Sequence, residues 1–92
     1  MTEKLFVELM IQNERGLHAR AAANFVKAIE DLDADVEVER LGQTVGGHSI
    51  MGLMMLAAAK GTTIKISATG KEAATAIQNL TDLINNKFGE EK

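Results

Sequence analysis

The chain opens with alternation. From Lys4 to Ile11, Leu5, Val7, Leu9 and Ile11 recur at every second position, with Phe6, Glu8 and Met10 between them. A period of two sends successive side chains to opposite faces, which predicts a β-strand. Asn13-Glu14-Arg15-Gly16 then forms a loop, its glycine supplying backbone freedom. From Ala19 to about Leu32 the period lengthens. Ala22, Phe25, Val26, Ile29 and Leu32 form one stripe, while Asn24, Lys27 and Glu30 lie off it. This pattern predicts an amphipathic helix. Asp31 to Asp35 ends it, being rich in residues that prefer turns.

Alternation returns over Asp35 to Arg40, with Val36 and Val38 inward and Glu37 and Glu39 outward. Leu41-Gly42-Gln43 turns the chain into a second short strand, Gln43 to Gly46, making an antiparallel hairpin. Ser49 to Ala59 reads as a short helix with Ser49 as its N-cap. In it Leu53 and Leu56 face inward, and Lys60-Gly61 supplies a stop. Ile50, Met51 and Met54 share a neighbouring face, which the spacing leaves open between core and surface. Thr62 to Ala68 is a further strand, with Ile64, Ile66 and Ala68 on one face. A last helix runs from about Lys71 to Phe88 on the stripe Ala73, Ala74, Ile77, Leu80, Ile84 and Phe88, with Thr69 and Glu72 at capping-box spacing. The order β-α-β-β-α-β-α predicts an α+β sandwich, one sheet with helices on a single side, as one domain over residues 1–92.

Composition narrows the function classes. Hydrophobic residues are 46% and charged residues 25%, a globular balance. Net charge is −3, with no Trp or Tyr and three Phe. A nucleic-acid partner is not expected, because it calls for a basic face or a stacking platform. With no cysteine there are no disulfides and no thiolate metal sites. Met1-Thr2-Glu3-Lys4 runs straight into the first strand without a secretory leader, so a cytoplasmic location is expected. The longest apolar run, Ile50 to Ala59, is interrupted by Gly52 and falls far short of the ~20 residues that span a bilayer. Asp31, Asp33 and Asp35 lack the glycine and glutamate of a calcium loop and read as a solvated turn. No metal and no cofactor is expected, and His48 reads as a solvated loop histidine.

The chemistry concentrates in Gly16-Leu17-His18-Ala19-Arg20-Ala21-Ala22. Here a histidine stands where loop becomes helix. The first amides of a helix have no internal partner, and with the helix dipole they form a site for an anion. A positive field also favours neutral imidazole, which is the nucleophilic form. A phosphoryl group carried on the ring would lie in that field, and Arg20 could reach its oxygens. From spacing alone, a solvated histidine beside a surface arginine remains equally open.

The same residues resemble the active-site motif of the HPr family, the histidine-containing phosphocarriers of the bacterial phosphoenolpyruvate-dependent phosphotransferase system. Ser49-Ile50-Met51-Gly52 through Lys60-Gly61 is similar to that family's second-helix signature, and Ile64 to Gly70 to its last strand. The blocks occur in the family's order over nearly the whole chain. The resemblance implies an open-faced sandwich, with a four-stranded antiparallel sheet covered by three helices. It implies that His18 accepts a phosphoryl group on Nδ1 from the system's first enzyme and that Arg20 orients it. A downstream acceptor subunit, in sugar uptake or a regulatory relay, would then receive the group.

Ser49 would be a regulatory phosphorylation site for a serine kinase/phosphorylase in some branches. Ala19, Ala23, Ile50, Met51 and Met54 would form the docking face of a monomeric carrier. One departure stands out: Ala21 occupies the place where the family usually has proline. Alanine is a good helix former but does not preset the backbone, so the helix start is expected to be less rigid. Two further classes stay in view. A purely regulatory binding module of the same fold would not need both His18 and Arg20. A small-ligand regulatory domain would leave His18-Ala19-Arg20 as coincidence.

Overall fold

A computed structural model describes residues 4–92 of the chain. Residues 1–3, read above as leading into the first strand, lie outside them. Four strands, β1 (Leu5–Met10), β2 (Asp35–Arg40), β3 (Gln43–Gly46) and β4 (Thr63–Thr69), form one sheet in the order β1-β4-β2-β3. Every pairing is antiparallel. Three helices complete the fold: α1 (Ala19–Ile29), α2 (Ile50–Met55) and α3 (Ala73–Asn85), the last followed by a 3₁₀ turn at Lys87–Gly89.

Strand register explains why the sheet has one dry face. Val7 and Val38 both pair with Ile66, so their side chains project to the same side. Val36, Val38, Ile64, Ile66 and Ala68 are buried there, against Phe25 and Ile29 of α1 and Ala76, Leu80 and Ile84 of α3. The opposite face is open. Phe6 and Met10 are exposed on it, and Lys65 lies between Glu8 and Glu39 in a cross-strand row of alternating charge. The Lys65 ammonium also sits 4.5 Å from the centre of the Phe6 ring, which adds a cation–π contact on that face.

β2 and β3 end where the alternation ends, and the turn between them is a two-residue hairpin. Arg40 pairs with Gln43, and Leu41 and Gly42 both take positive φ, 50° and 83°. This hand of turn matches strand twist but is unfavourable for a leucine.

The helices are shorter than periodicity predicts. α1 closes at Ile29 rather than Leu32, which is half-buried beyond it. α2 stops at Met55 instead of Ala59: Ala57 takes a φ of 51°, and Leu17 N–H donates to the Ala58 carbonyl at 2.9 Å. Lys60-Gly61 therefore belongs to the approach to β4 rather than to the helix stop. The capping box at Thr69 and Glu72 does not form, because the Glu72 carboxylate accepts from the Asp33 amide at 2.8 Å. α3 covers Ala73–Asn85 rather than 71–88, and Phe88 enters the core from the 3₁₀ turn.

Candidate functional site

The loop before α1 is shaped by close approach. Gly16 has φ +66°, and a Cβ there would lie 2.5 Å from the Ala58 carbonyl oxygen, so only glycine fits. Its carbonyl accepts from Asn13 Nδ2 at 2.8 Å. Leu17, buried, anchors the next position. His18 then adopts an extended backbone as N-cap, and its carbonyl accepts the Ala22 amide at 2.8 Å. Its side chain does not cap the helix, so it leaves the first-turn amides unspent. No acidic residue occupies that turn, so nothing within the first turn of α1 offsets the helix dipole. The helix begins without the family's proline, and Ala21 packs its methyl into the core.

The ring of His18 is held from far along the chain. Its Nε2 hydrogen-bonds Glu90 Oε2, 72 residues away. The other oxygen of that carboxylate accepts from Asn13 Nδ2 at 3.0 Å. Burial works to raise the Glu90 carboxyl, but the hydrogen bonds from His18 and Asn13, with the positive charge of Arg15, outweigh it and hold it below the usual carboxylate range. An ionised carboxylate only accepts, so Nε2 carries the proton and donates it. Nδ1 has no hydrogen-bond partner among the described residues. The side chains of His18 and Glu90 are 16% and 18% exposed, enclosed yet reachable.

Glu90 arrives there because the chain reverses after α3. Lys87, Phe88 and Gly89 take successive positive φ values of 55°, 56° and 81°. For non-glycine residues this region costs about 1–3 kcal/mol each. Burial of Phe88 in the core and a hydrogen bond from the Glu14 amide to the Lys92 carbonyl at 2.8 Å offset it.

The remaining predicted residues fall in two groups. Arg20 and Ala19 are exposed beside His18 on α1, and Ala23 is half-buried one turn on. Among the described residues no ion pair or side-chain hydrogen bond engages Arg20. Ser49 caps α2, its Oγ accepting the Gly52 amide at 2.9 Å. Ile50, Met51 and Met54 are exposed, Met51 to 71%, which resolves the open choice between core and surface. Sequence reasoning missed three residues. Met55, also exposed, was legible as the i+4 neighbour of Met51. Asn13 looked like any loop residue, and nothing local marks Glu90. Among the described residues no cluster of three or more metal-ligating side chains occurs, and no helix is long and apolar enough to cross a membrane.

A four-stranded antiparallel sheet covered on one face by three helices is the open-faced sandwich that the resemblance to the histidine phosphocarriers implies. The comparisons give the family. Residues 7–86 match the family model described as the PTS HPr component phosphorylation site. The phosphocarrier protein HPr of Neisseria meningitidis serogroup A is 50% identical over 80 residues, covering 87% of this chain and 90% of that protein. HPr of Xylella fastidiosa strain 9a5c is 39% identical over 84 residues, covering 91% and 94%. A crystal structure of HPr from Thermoanaerobacter tengcongensis superposes with a TM-score of 0.91 at 42% identity, over 96% of this chain and 99% of that one. The chain belongs to the HPr family of the phosphotransferase system.

Proposed function

We propose that His18 is the phosphoryl acceptor and that the group travels on Nδ1. The observation that carries this reading is the division of the ring: Nε2 is engaged by Glu90, and Nδ1 is left for attack at the start of α1. The donor is the first enzyme of the phosphotransferase system, and the recipient is a downstream acceptor subunit, in sugar uptake or a nitrogen-type regulatory relay. The carrier acts as a monomer in the cytoplasm, as an intermediate in transfer rather than a stand-alone enzyme, and needs no cofactor. Arg20, exposed and unengaged among the described residues, swings onto the phosphoryl oxygens and neutralises charge in a loose transition state. Exposed Ala19, Ile50, Met51 and Met54, with Ala23, form the docking face. Adaptable methionines suit a surface that meets several partners.

A second reading concerns Ser49. It is exposed beside Ile50 and Met51, so a phosphate added there by a serine kinase/phosphorylase would set a dianion within the docking face and weaken acidic partners' approach.

The test is phosphoryl transfer from phosphoenolpyruvate through the first enzyme, read as an acid-labile adduct. His18→Ala is expected to abolish labelling, and Arg20→Ala to slow it by about 100- to 1000-fold, the range for losing a charge-stabilising donor. Full-rate labelling of His18→Ala would falsify the site.

A further inference from the structure

The segment after α3 supplies a group that the transfer reading does not yet use. Three consecutive left-handed residues turn the chain back, Phe88 locks it into the core, and the Glu14–Lys92 hydrogen bond fastens its far side. The outcome is one carboxylate held by two donors, Asn13 Nδ2 on one oxygen and His18 Nε2 on the other. A carboxylate on one imidazole nitrogen fixes the tautomer, aims the opposite nitrogen and balances the positive charge the ring acquires on attack. This is the division of labour of an Asp–His pair in nucleophilic catalysis. We infer that Glu90 is a positioning residue for phosphoryl transfer, keeping the proton on His18 Nε2 and the lone pair on Nδ1, with Asn13 holding Glu90 in place.

This inference rests on His18 being the acceptor. In the step, the Nδ1 lone pair forms the bond to phosphorus, and the donor's bond to phosphorus breaks, its electron pair leaving with the donor enzyme. The Nε2 proton stays where it is. The ring becomes a phosphoimidazolium whose positive charge faces the Glu90 carboxylate. The phosphoryl group lies across the ring from that carboxylate, toward the helix start. In the onward step the same charge makes the ring a good leaving group, and neutral imidazole returns with its proton still on Nε2.

The experiment compares wild type with Glu90→Gln, which keeps the shape and removes the charge, and with Asn13→Ala, using phosphoenolpyruvate and the first enzyme as the donor system. The expected result for Glu90→Gln is a fall in the saturated transfer rate of about 10- to 100-fold, by analogy with the loss of a carboxylate that orients a metal-bound histidine, with KM for the carrier unchanged. Asn13→Ala falls in the same direction by less. Imidazole ¹⁵N spectra should show the Nε2–H tautomer with a slowly exchanging proton in wild type and a mixed, fast-exchanging ring in Glu90→Gln. The Glu14 amide resonance reports whether the segment is still docked. Equal saturated rates with His18 still labelled overturn the positioning role and leave the acceptor intact. A faster Glu90→Gln protein overturns it in favour of an inhibitory contact. Label on another residue in wild type defeats the acceptor assignment itself.

Discussion

The starts of α1 and α2 are built in opposite ways. At α2, Ser49 spends its hydroxyl on the amide of its own helix, three residues on. Its surroundings, Ile50, Met51 and Met54, stay exposed. At α1, His18 caps nothing, and its ring is held instead by Glu90, which is itself held by Asn13. A serine there would satisfy an amide and consume the positive end of the helix. A histidine leaves that end free, but its ring then needs support from elsewhere in the fold. The contrast teaches that structural capping is a local affair, whereas a helix end kept open for an anion draws its support from distant parts of the chain.

The comparison is broken most forcefully at Phe88, which ties the distant support to the core. Phe88→Ala is expected to cost about 3–5 kcal/mol, as buried phenylalanine truncations do, and to release Glu90 from His18. Urea unfolding measures the first effect, and loss of hydrogen-exchange protection at the Glu14 amide measures the second. On the α2 side, Met51→Ala should change stability by no more than about 0.5 kcal/mol, because it removes an exposed side chain. A protected Glu14 amide in Phe88→Ala would show that the segment docks without its anchor.

A smaller effect sharpens the local half of the contrast. Ser49→Ala should destabilise by about 1 kcal/mol, and Ser49→Gly by only a few tenths, the signature of a lost N-cap. Ser49→Asp retains a capping oxygen, so its stability should match wild type, while its affinity for the first enzyme drops. Urea midpoints and titration with that enzyme separate the two. Unchanged affinity in a fully stable Ser49→Asp protein would remove Ser49 from the docking face.

The same division between local and distant explains what was legible in the sequence. β2 and β3 coincide with the alternation of Val36 and Val38 and with the Gly42 turn, because a strand's period and a hairpin's chemistry are local. His18 and Ser49 were legible as the residues just before each helical stripe. The end of α2 was not. Leu56-Ala57-Ala58-Ala59 carries good helix propensity, and the chain leaves the helix only because Ala58 must meet Leu17 and Gly16 beneath the α1 loop. Phe88 keeps the burial its helical spacing predicts, but it reaches the core through a left-handed reversal rather than a continued helix. Glu90 sits in a charged stretch, Gly89-Glu90-Glu91-Lys92, where no pattern singles out one carboxylate. Its role exists only once the chain has turned back.

The smallest effect concerns acid, and it should divide the two helix starts cleanly. Glu90 is held below the usual carboxylate range in the folded chain; in the unfolded chain it titrates near the ordinary glutamate value of about 4.3. The unfolded state therefore binds more protons in that interval, and the linked stabilisation is complete above the ordinary value and lost as pH falls through the lowered one. Acidification should accordingly loosen the contact of Glu90 with His18 and Asn13, seen as a lower protection factor at the Glu14 amide, that is, exchange faster relative to the intrinsic rate at the same pH. The Gly52 amide, held by an untitrating serine hydroxyl, should keep its protection over the same range. In Glu90→Gln the acid step at Glu14 should vanish, since no proton is left to take up. If it persists at the same pH, another carboxyl governs the docking, and the Glu90 contact is a passenger rather than the link between the two ends of the chain.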